Sequence, residues 1–139
     1  MDTSINKMLV AIDGPETATK ALNYAINLAE KCHAEVQIVS VVQTQHVFYA
    51  SLIYDMDKSI ETILSEALKV AKEKKPNLKV STRLLKGSSA DEIVHLAKEE
   101  CFDIIVLGSR GLSGAEEIFL GSVSDRVADK ATCPVLIVK

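Results

Sequence analysis

Hydrophobic residues follow two alternating patterns along this chain. Short continuous apolar runs are typical of strands buried on both faces of a parallel sheet, whereas apolar residues that recur every three or four positions are typical of helices packed on one side. Mainly apolar runs predict strands at residues 7–12, 35–42, 104–107 and 135–138, and residues 78–85 are predicted as a further strand, the third along the chain. The periodic stretches predict four helices, at residues 15–31, 57–74, 89–100 and from Ser122 onward. Strands and helices therefore alternate along the whole chain.

This alternation predicts an α/β fold. Parallel strands need a long crossover connection, so the predicted helices cover both faces of a parallel sheet through right-handed crossovers. Ligands of such sheets bind beyond the carboxyl ends of the strands, at the point where the strand order reverses. The hydrophobic pattern leaves that order open. With 139 residues and no linker or repeat, the chain is expected to be a single domain.

Composition and charge exclude several classes of protein. The content of 47% hydrophobic and 25% charged residues is ordinary for a globular domain, and a net charge of −3 argues against a nucleic-acid binder. No apolar run approaches the ~20 residues that span a membrane, and the first residues lack the features of a signal peptide. Three scattered cysteines, Cys32, Cys101 and Cys133, indicate neither a disulfide framework nor a zinc site. We therefore expect a cytoplasmic protein without nucleic-acid or membrane partners.

Glycines are concentrated after the fourth predicted strand. Gly108 ends that strand, Gly111 follows, and Gly121 precedes Ser122 at the start of the last predicted helix. Glycine lets the backbone turn sharply and approach a ligand closely, and a helix N-terminus offers unpaired N–H groups with a partial positive charge. The stretch is thus suited to a polyphosphate. Ordinary tight turns are the alternative explanation for the same glycines.

The spacing G-x2-G-x9-G-S, formed here by Gly108, Gly111, Gly121 and Ser122, resembles the nucleotide-binding signature of the universal stress protein family, in its ATP-binding branch. Three further segments resemble the same family, namely MLVAIDG, the run SSADEIVHLAKE after Gly87, and the C-terminal GSVSDRVADKATCPVLIVK. The resemblance covers essentially residues 1–139. It implies one domain with an adenine-nucleotide-hydrolase-like, Rossmann-like fold, a five-stranded parallel sheet with helices on both faces and strand order 3-2-1-4-5.

The resemblance also implies where a nucleotide would lie. Asp13 would sit beside the adenine and ribose, and Val41 would contact the adenine, although a turn residue and a plain strand residue are the alternatives for these two. The phosphates would lie on backbone amides, with serine hydroxyls as further donors. The implied nucleotide-binding residues are Ala11, Asp13, Val41, Gly108, Ser109, Arg110, Gly111, Gly121, Ser122, Val123 and Ser124. Two residues depart from the family pattern. Ala11 stands where many members have proline or valine, and Pro15 stands where serine is common.

The function implied is that of an ATP-binding, nucleotide-dependent sensor or regulator in stress response. AMP or another adenine nucleotide is the alternative ligand, and Mg²⁺ would be held through the phosphates because no clustered carboxylates are evident. No catalytic residue or protein-held metal is predicted, so an enzyme is not expected beyond weak ATP hydrolysis. A slow ATP hydrolase or phosphotransferase, and an interaction module that needs no nucleotide, remain alternatives.

Four other patterns lead to expectations. Ser89 followed by Glu92 predicts a capping box at the third helix. Several lysines lie at the end of the second helix. They either interact favourably with the negative end of the helix dipole or form an anion-binding patch. The apolar segment 48–54 predicts core packing, a mobile lip over the nucleotide or a patch that docks a partner. The last strand, Val135–Val138, is apolar on both faces and is an edge in the implied order, so we expect a homodimer joined through it.

Overall fold

The computed structural model describes residues 3–12, 15–44, 50–109 and 121–139. Within them, strands and helices alternate as the hydrophobic pattern predicts. The elements are β1 (Lys7–Ala11), α1 (Pro15–Cys32), β2 (Glu35–Gln43), α2 (Ala50–Lys74), β3 (Val80–Gly87), α3 (Ser89–Glu99), β4 (Ile104–Gly108), α4 (Ser122–Lys130) and β5 (Val135–Val138). None of the helices in these ranges is long and apolar enough to cross a membrane.

The five strands form one parallel sheet with the order β3-β2-β1-β4-β5, which confirms the predicted fold class. β1 lies at the centre, so Ala11 pairs with Val39 of β2 on one side and with Leu107 of β4 on the other. The amide of Ile12 donates to the Val39 carbonyl at 2.9 Å and continues this pairing one residue further. The strand order therefore reverses at the carboxyl end of β1, where the ligand rule for such sheets places a site.

Two apolar layers cover the sheet, one on each face. Successive side chains of a strand point to opposite faces, which is why the strands read as continuous apolar runs. The layer under α1 and α2 is centred on fully buried residues that include Met8, Val10, Ile26, Ile38 and Val106. The layer under α3 and α4 is centred on Leu9, Val39, Ile105 and Val127. Burying each such side chain stabilises the fold by roughly 1.5–3 kcal/mol, so these layers hold the strand ends in place.

α2 begins at Ala50, earlier than the predicted start at Asp57. Ile53 and Met56 continue the spacing of Ile60 and Ile63 toward the N-terminus, so the apolar stripe of α2 extends before the predicted start. The Tyr54 side chain is 61% exposed and lies beside the Lys58 ammonium, 5.5 Å from the ring centroid. This tyrosine does not pack in the core. Phe48 and Tyr49 lie outside the described residues, and the lip stays a prediction.

The predicted capping box at the start of α3 is wrong. The N-cap is Ser88, one residue earlier than expected, and no described side chain caps it. The Glu92 amide instead donates to the Ser88 carbonyl at 2.9 Å. Its side chain lies against Gly87, which ends β3 with a φ of +136°, and a Cβ at that glycine would be 2.7 Å from Glu92 Oε1. The positive φ therefore favours glycine at this turn, and a Cβ would in addition require the Glu92 side chain to move.

Candidate functional site

The junction between β4 and α4 is held together by the backbone of Ser109. Its amide donates to the Val138 carbonyl of β5 at 2.9 Å, which extends the β4–β5 pairing past Gly108. Its carbonyl accepts from the Gly121 amide at 2.6 Å and from the Ser124 hydroxyl at 3.1 Å. The end of β4 and the beginning of α4 therefore lie side by side, although residues 110–120 separate them in the chain.

Several backbone donors in the first turn of α4 have no partner among the described residues. Gly121 is the N-cap, with φ −66° and ψ 159°, and no described side chain caps the helix. The amide of Asp125 is the first to bond within the helix, to the Gly121 carbonyl at 2.9 Å. Helices leave the earlier amides without an internal partner, here those of Ser122, Val123 and Ser124. These donors and the positive end of the helix dipole make the turn suitable for an anion.

The two serines of this turn have different surroundings. Ser122 is exposed, so its hydroxyl can reach a ligand at the helix start. Ser124 is 2% exposed, and its Oγ lies 3.1 Å from the Ser109 carbonyl and 3.0 Å from the Gly121 carbonyl. A hydroxyl has a single proton to donate, and here it is directed at the protein backbone. In this arrangement Ser124 holds the junction, whereas the Ser122 hydroxyl is open to a ligand.

The remaining described site residues lie at the carboxyl ends of neighbouring strands. Ala11 and Val41 are partly buried against the layer under α3 and α4, at the ends of β1 and β2. Gly108 is the last residue of β4 and pairs with Val138. Since β1 lies between β2 and β4, these positions face the junction from the same edge of the sheet. The structure thus brings together the described members of the predicted site.

Three predicted site residues, Asp13, Arg110 and Gly111, lie outside the described residues, and their roles stay predictions. Asp13 follows Ile12 and Arg110 follows Ser109, so each comes directly after a described residue at the carboxyl edge of the sheet. Within the described ranges, no group of three or more His, Cys, Asp or Glu side chains is arranged to hold a metal ion.

Ser40 is a polar residue near this edge that the sequence-based reasoning overlooked. It precedes Val41 in β2 and is 1% exposed, and its hydroxyl has no hydrogen-bond partner among the described residues. A buried hydroxyl without a partner costs roughly 1–3 kcal/mol. The available signal was a polar residue between the apolar pairs Ile38-Val39 and Val41-Val42. Among the described residues, the Ser40 hydroxyl is thus a buried polar group without a hydrogen bond beside the site.

Nearly the whole chain is similar to known proteins in sequence and in structure. The model of the universal stress protein family matches residues 4–139. Universal stress protein YxiE of Bacillus subtilis is 42% identical to this chain, over 96% of it and 99% of the relative. Universal stress protein MJ0577 of Methanocaldococcus jannaschii has a solved structure that matches with a TM-score of 0.82 and 28% identity, over 98% of this chain and 96% of that one.

A second solved structure, of a universal stress protein in complex with cAMP, matches with a TM-score of 0.78 and 28% identity. The match covers 98% of both chains. The residues matched by the family model include every predicted site residue, both the described ones and the three that lie outside the described ranges.

Proposed function

The chain belongs to the universal stress protein family, and from that membership together with the β4–α4 junction we propose that it binds an adenine nucleotide, ATP in the first place, at the carboxyl edge of its sheet. The observation that carries the proposal is the uncapped first turn of α4, which the Ser109 carbonyl holds beside the end of β4. The relative solved with cAMP supports an adenine nucleotide as the class of ligand. AMP or a cyclic nucleotide is the alternative within that class.

The phosphates would be bound at the start of α4. The amides of Ser122 and Val123 supply donors without an internal partner, and the exposed Ser122 hydroxyl supplies another. Gly108 and Gly111 would keep the backbone free of Cβ atoms where the phosphates pass, and Arg110 would add positive charge. Mg²⁺ would be held through phosphate oxygens and water, since this ion commonly keeps several waters and uses few protein ligands.

The nucleoside would lie between the ends of β1, β2 and β4. Ala11 and Val41 line this edge with small or branched apolar side chains, which suit the faces of a purine. Asp13 would accept hydrogen bonds from the ribose hydroxyls or the exocyclic amine, because an ionised carboxylate is an acceptor only. Placing Asp13 at the nucleoside also keeps its negative charge away from the phosphates.

The proposed role is that of a nucleotide-dependent sensor or regulator in stress response. The described part of the site supplies N–H and O–H donors, which hold a polyphosphate in its ground state. Efficient phosphoryl transfer would in addition require a base or a residue that positions the attacking group. We therefore expect that occupancy of the site, and not turnover of ATP, is what the protein reports.

Substitution of Gly121 tests this proposal. The backbone angles of Gly121 suit any residue, and Asp and Asn are both favoured at an N-cap, so Gly121→Asp and Gly121→Asn should fold and gain about a few tenths of a kcal/mol. The Asp carboxylate would occupy the amides and place a negative charge where the phosphates bind. Calorimetric titration with ATP and Mg²⁺ should then detect no binding to Gly121→Asp and weakened binding to the uncharged Gly121→Asn.

A second, milder variant and a refuting result complete the test. Ser122→Ala should lower ATP affinity by on the order of 1–3 kcal/mol, the contribution of a hydrogen bond to a charged group. ATP affinity that is unchanged in a folded Gly121→Asp protein would refute the assignment of the phosphate site. Titrations with AMP and cAMP in the same series would rank the ligands.

A homodimer joined through β5 is the second part of the proposal. β5 is the edge of the sheet, with β4 as its single neighbour among the described strands. All four of its residues are partly exposed, with Leu136 and Val138 on the α1 side and Val135 and Ile137 on the α4 side. An apolar edge left bare is prone to aggregate, and pairing with β5 of a second copy would cover it by a two-fold contact.

A further inference from the structure

A groove at the amino ends of the strands lies opposite the proposed nucleotide site. We call it the basic groove; it is lined by Asn6, Glu30, His33, Glu35 and residues 74–79. Its volume is ≈ 520 Å³, within the range of about 300–1,000 Å³ that is usual for ligand pockets. β2 runs from one edge to the other over nine residues, so the groove and the nucleotide site are about 30 Å apart.

Positive charge is concentrated at this groove. The groove and its rim, residues 69–73, together contain five lysines and three glutamates, a net charge of +2 in a chain whose total is −3. Subtracting +2 from −3 leaves −5 for the rest of the molecule. The end of α2 and the turn that follows it are therefore the positive pole of an otherwise acidic protein. Charge asymmetry of this kind steers the approach of acidic partners.

Only part of this charge is neutralised within the protein. Lys75 pairs with Glu30 at 2.8 Å, and Lys79 pairs with Glu35 at 3.0 Å. The Lys74 ammonium donates instead to a neutral group, the side-chain carbonyl of Asn23, at 2.6 Å.

Lys69 and Lys72 are exposed, and neither forms an ion pair within the described part of the chain. The C-terminal dipole of α2 offsets roughly half a charge, so the groove and its rim keep a positive excess.

We propose that the basic groove binds an acidic segment of a partner protein. The lysines would donate to side-chain carboxylates of the segment, while the Glu30 and Glu35 carboxylates, both partly exposed, would accept from its backbone N–H groups. A nucleic-acid backbone or an anionic membrane offers phosphates without the backbone N–H groups that Glu30 and Glu35 would accept from. No Phe, Tyr or Trp lines the groove within the described residues, so bases would find no stacking surface.

This docking goes beyond the proposed nucleotide function and does not depend on it. Because the two sites are at opposite edges of the sheet, a partner in the basic groove would leave the nucleotide site open. The same chain could then carry a nucleotide and a partner at once. Binding both at once would let a partner respond to whether the nucleotide site is occupied.

The test uses a fluorescein-labelled peptide of consecutive glutamates, titrated with the intact protein and followed by fluorescence anisotropy. The unmodified protein should bind the peptide, and binding should weaken as salt rises to about 0.15 M. The triple variant Lys72→Gln, Lys74→Gln, Lys79→Gln should bind the peptide about tenfold or more weakly. ATP affinity of the same variant should stay unchanged, which separates a failure here from a failure of the nucleotide proposal.

A matched control removes the same charge elsewhere. Lys20, Lys58 and Lys98 are exposed residues outside the groove, and their triple replacement by Gln should leave peptide binding within about twofold of the unmodified protein. Equal weakening by both triples would show that only net charge matters and would overturn the proposal. No binding of the peptide, or binding of a single-stranded oligonucleotide or anionic vesicles in its place, would overturn it as well.

Discussion

Two buried serines at the site edge of the sheet should respond to alanine substitution in opposite directions. Ser124 is 2% exposed with its hydroxyl near two carbonyls, whereas Ser40 is 1% exposed with no partner among the described residues. The same chemical change, Ser to Ala, therefore removes a hydrogen bond in one case and an unpaired hydroxyl in the other. Their burial is nearly equal, so the comparison isolates hydrogen bonding.

The expected magnitudes come from the partners that remain. After Ser124→Ala, the Ser109 carbonyl keeps the Gly121 amide and the Gly121 carbonyl keeps the Asp125 amide. No buried acceptor is left unpaired, so the loss should be the net value of one hydrogen bond, about 0.5–1.5 kcal/mol. Ser40→Ala removes a hydroxyl whose burial costs about 1–3 kcal/mol, and we expect a gain in stability at the low end of that range.

Urea unfolding of the two variants and the unmodified protein measures both effects. With a slope of about 1–3 kcal/mol per molar urea, a change of 1 kcal/mol moves the midpoint by roughly 0.3–1 M. The midpoint should fall for Ser124→Ala and rise for Ser40→Ala, with equal slopes in all three proteins. A loss for Ser40→Ala as large as that for Ser124→Ala would mean that the Ser40 hydroxyl is hydrogen-bonded in solution, and would refute the reasoning.

Three further predictions concern other features. Gly87→Ala should destabilise the fold by about 1–3 kcal/mol, because of the positive φ and the contact with Glu92; the double variant with Glu92→Ala should recover only the steric part, as urea unfolding would measure. Burial raises the pKa of the Cys133 thiol, so iodoacetamide at mildly alkaline pH should label the exposed Cys101 first. Since the unfolded Cys133 thiol ionises at lower pH than the folded one, stability should decline as pH rises through the folded pKa, and Cys133→Ser should reduce that decline. Light scattering should report twice the chain mass for the unmodified protein and a shift toward one chain for Ile137→Lys; a monomeric unmodified protein would contradict the dimer.

The elements of the fold could be predicted because each one has a clear hydrophobic period. The central strands β1 and β4 are largely buried and read as apolar runs, and the start of α4 at Ser122 follows from the glycine before it. The strand order could not be obtained from this pattern, because the pattern indicates burial and does not say which strands are neighbours. The resemblance to the family supplied the order, and the structure confirms it.

The finer features depend on three-dimensional contacts that leave little trace in the sequence. The Glu92 side chain lies beside Gly87 where a capping box was expected. The two serines of α4 look alike in sequence, yet only the fold shows that Ser124 is buried against the Ser109 carbonyl. Partners of this kind are set by how elements pack, and local spacing does not encode them.

Ser109 joins two equilibria through one residue, since its amide donates to Val138 of β5 and its carbonyl accepts from the start of α4. If nucleotide binding at α4 displaces this residue, the exposed edge of β5 is displaced with it. Linkage then makes the effect reciprocal. A nucleotide that strengthens self-association tenfold would itself be bound tenfold more tightly by the associated form, so protein concentration would set the apparent affinity for ATP.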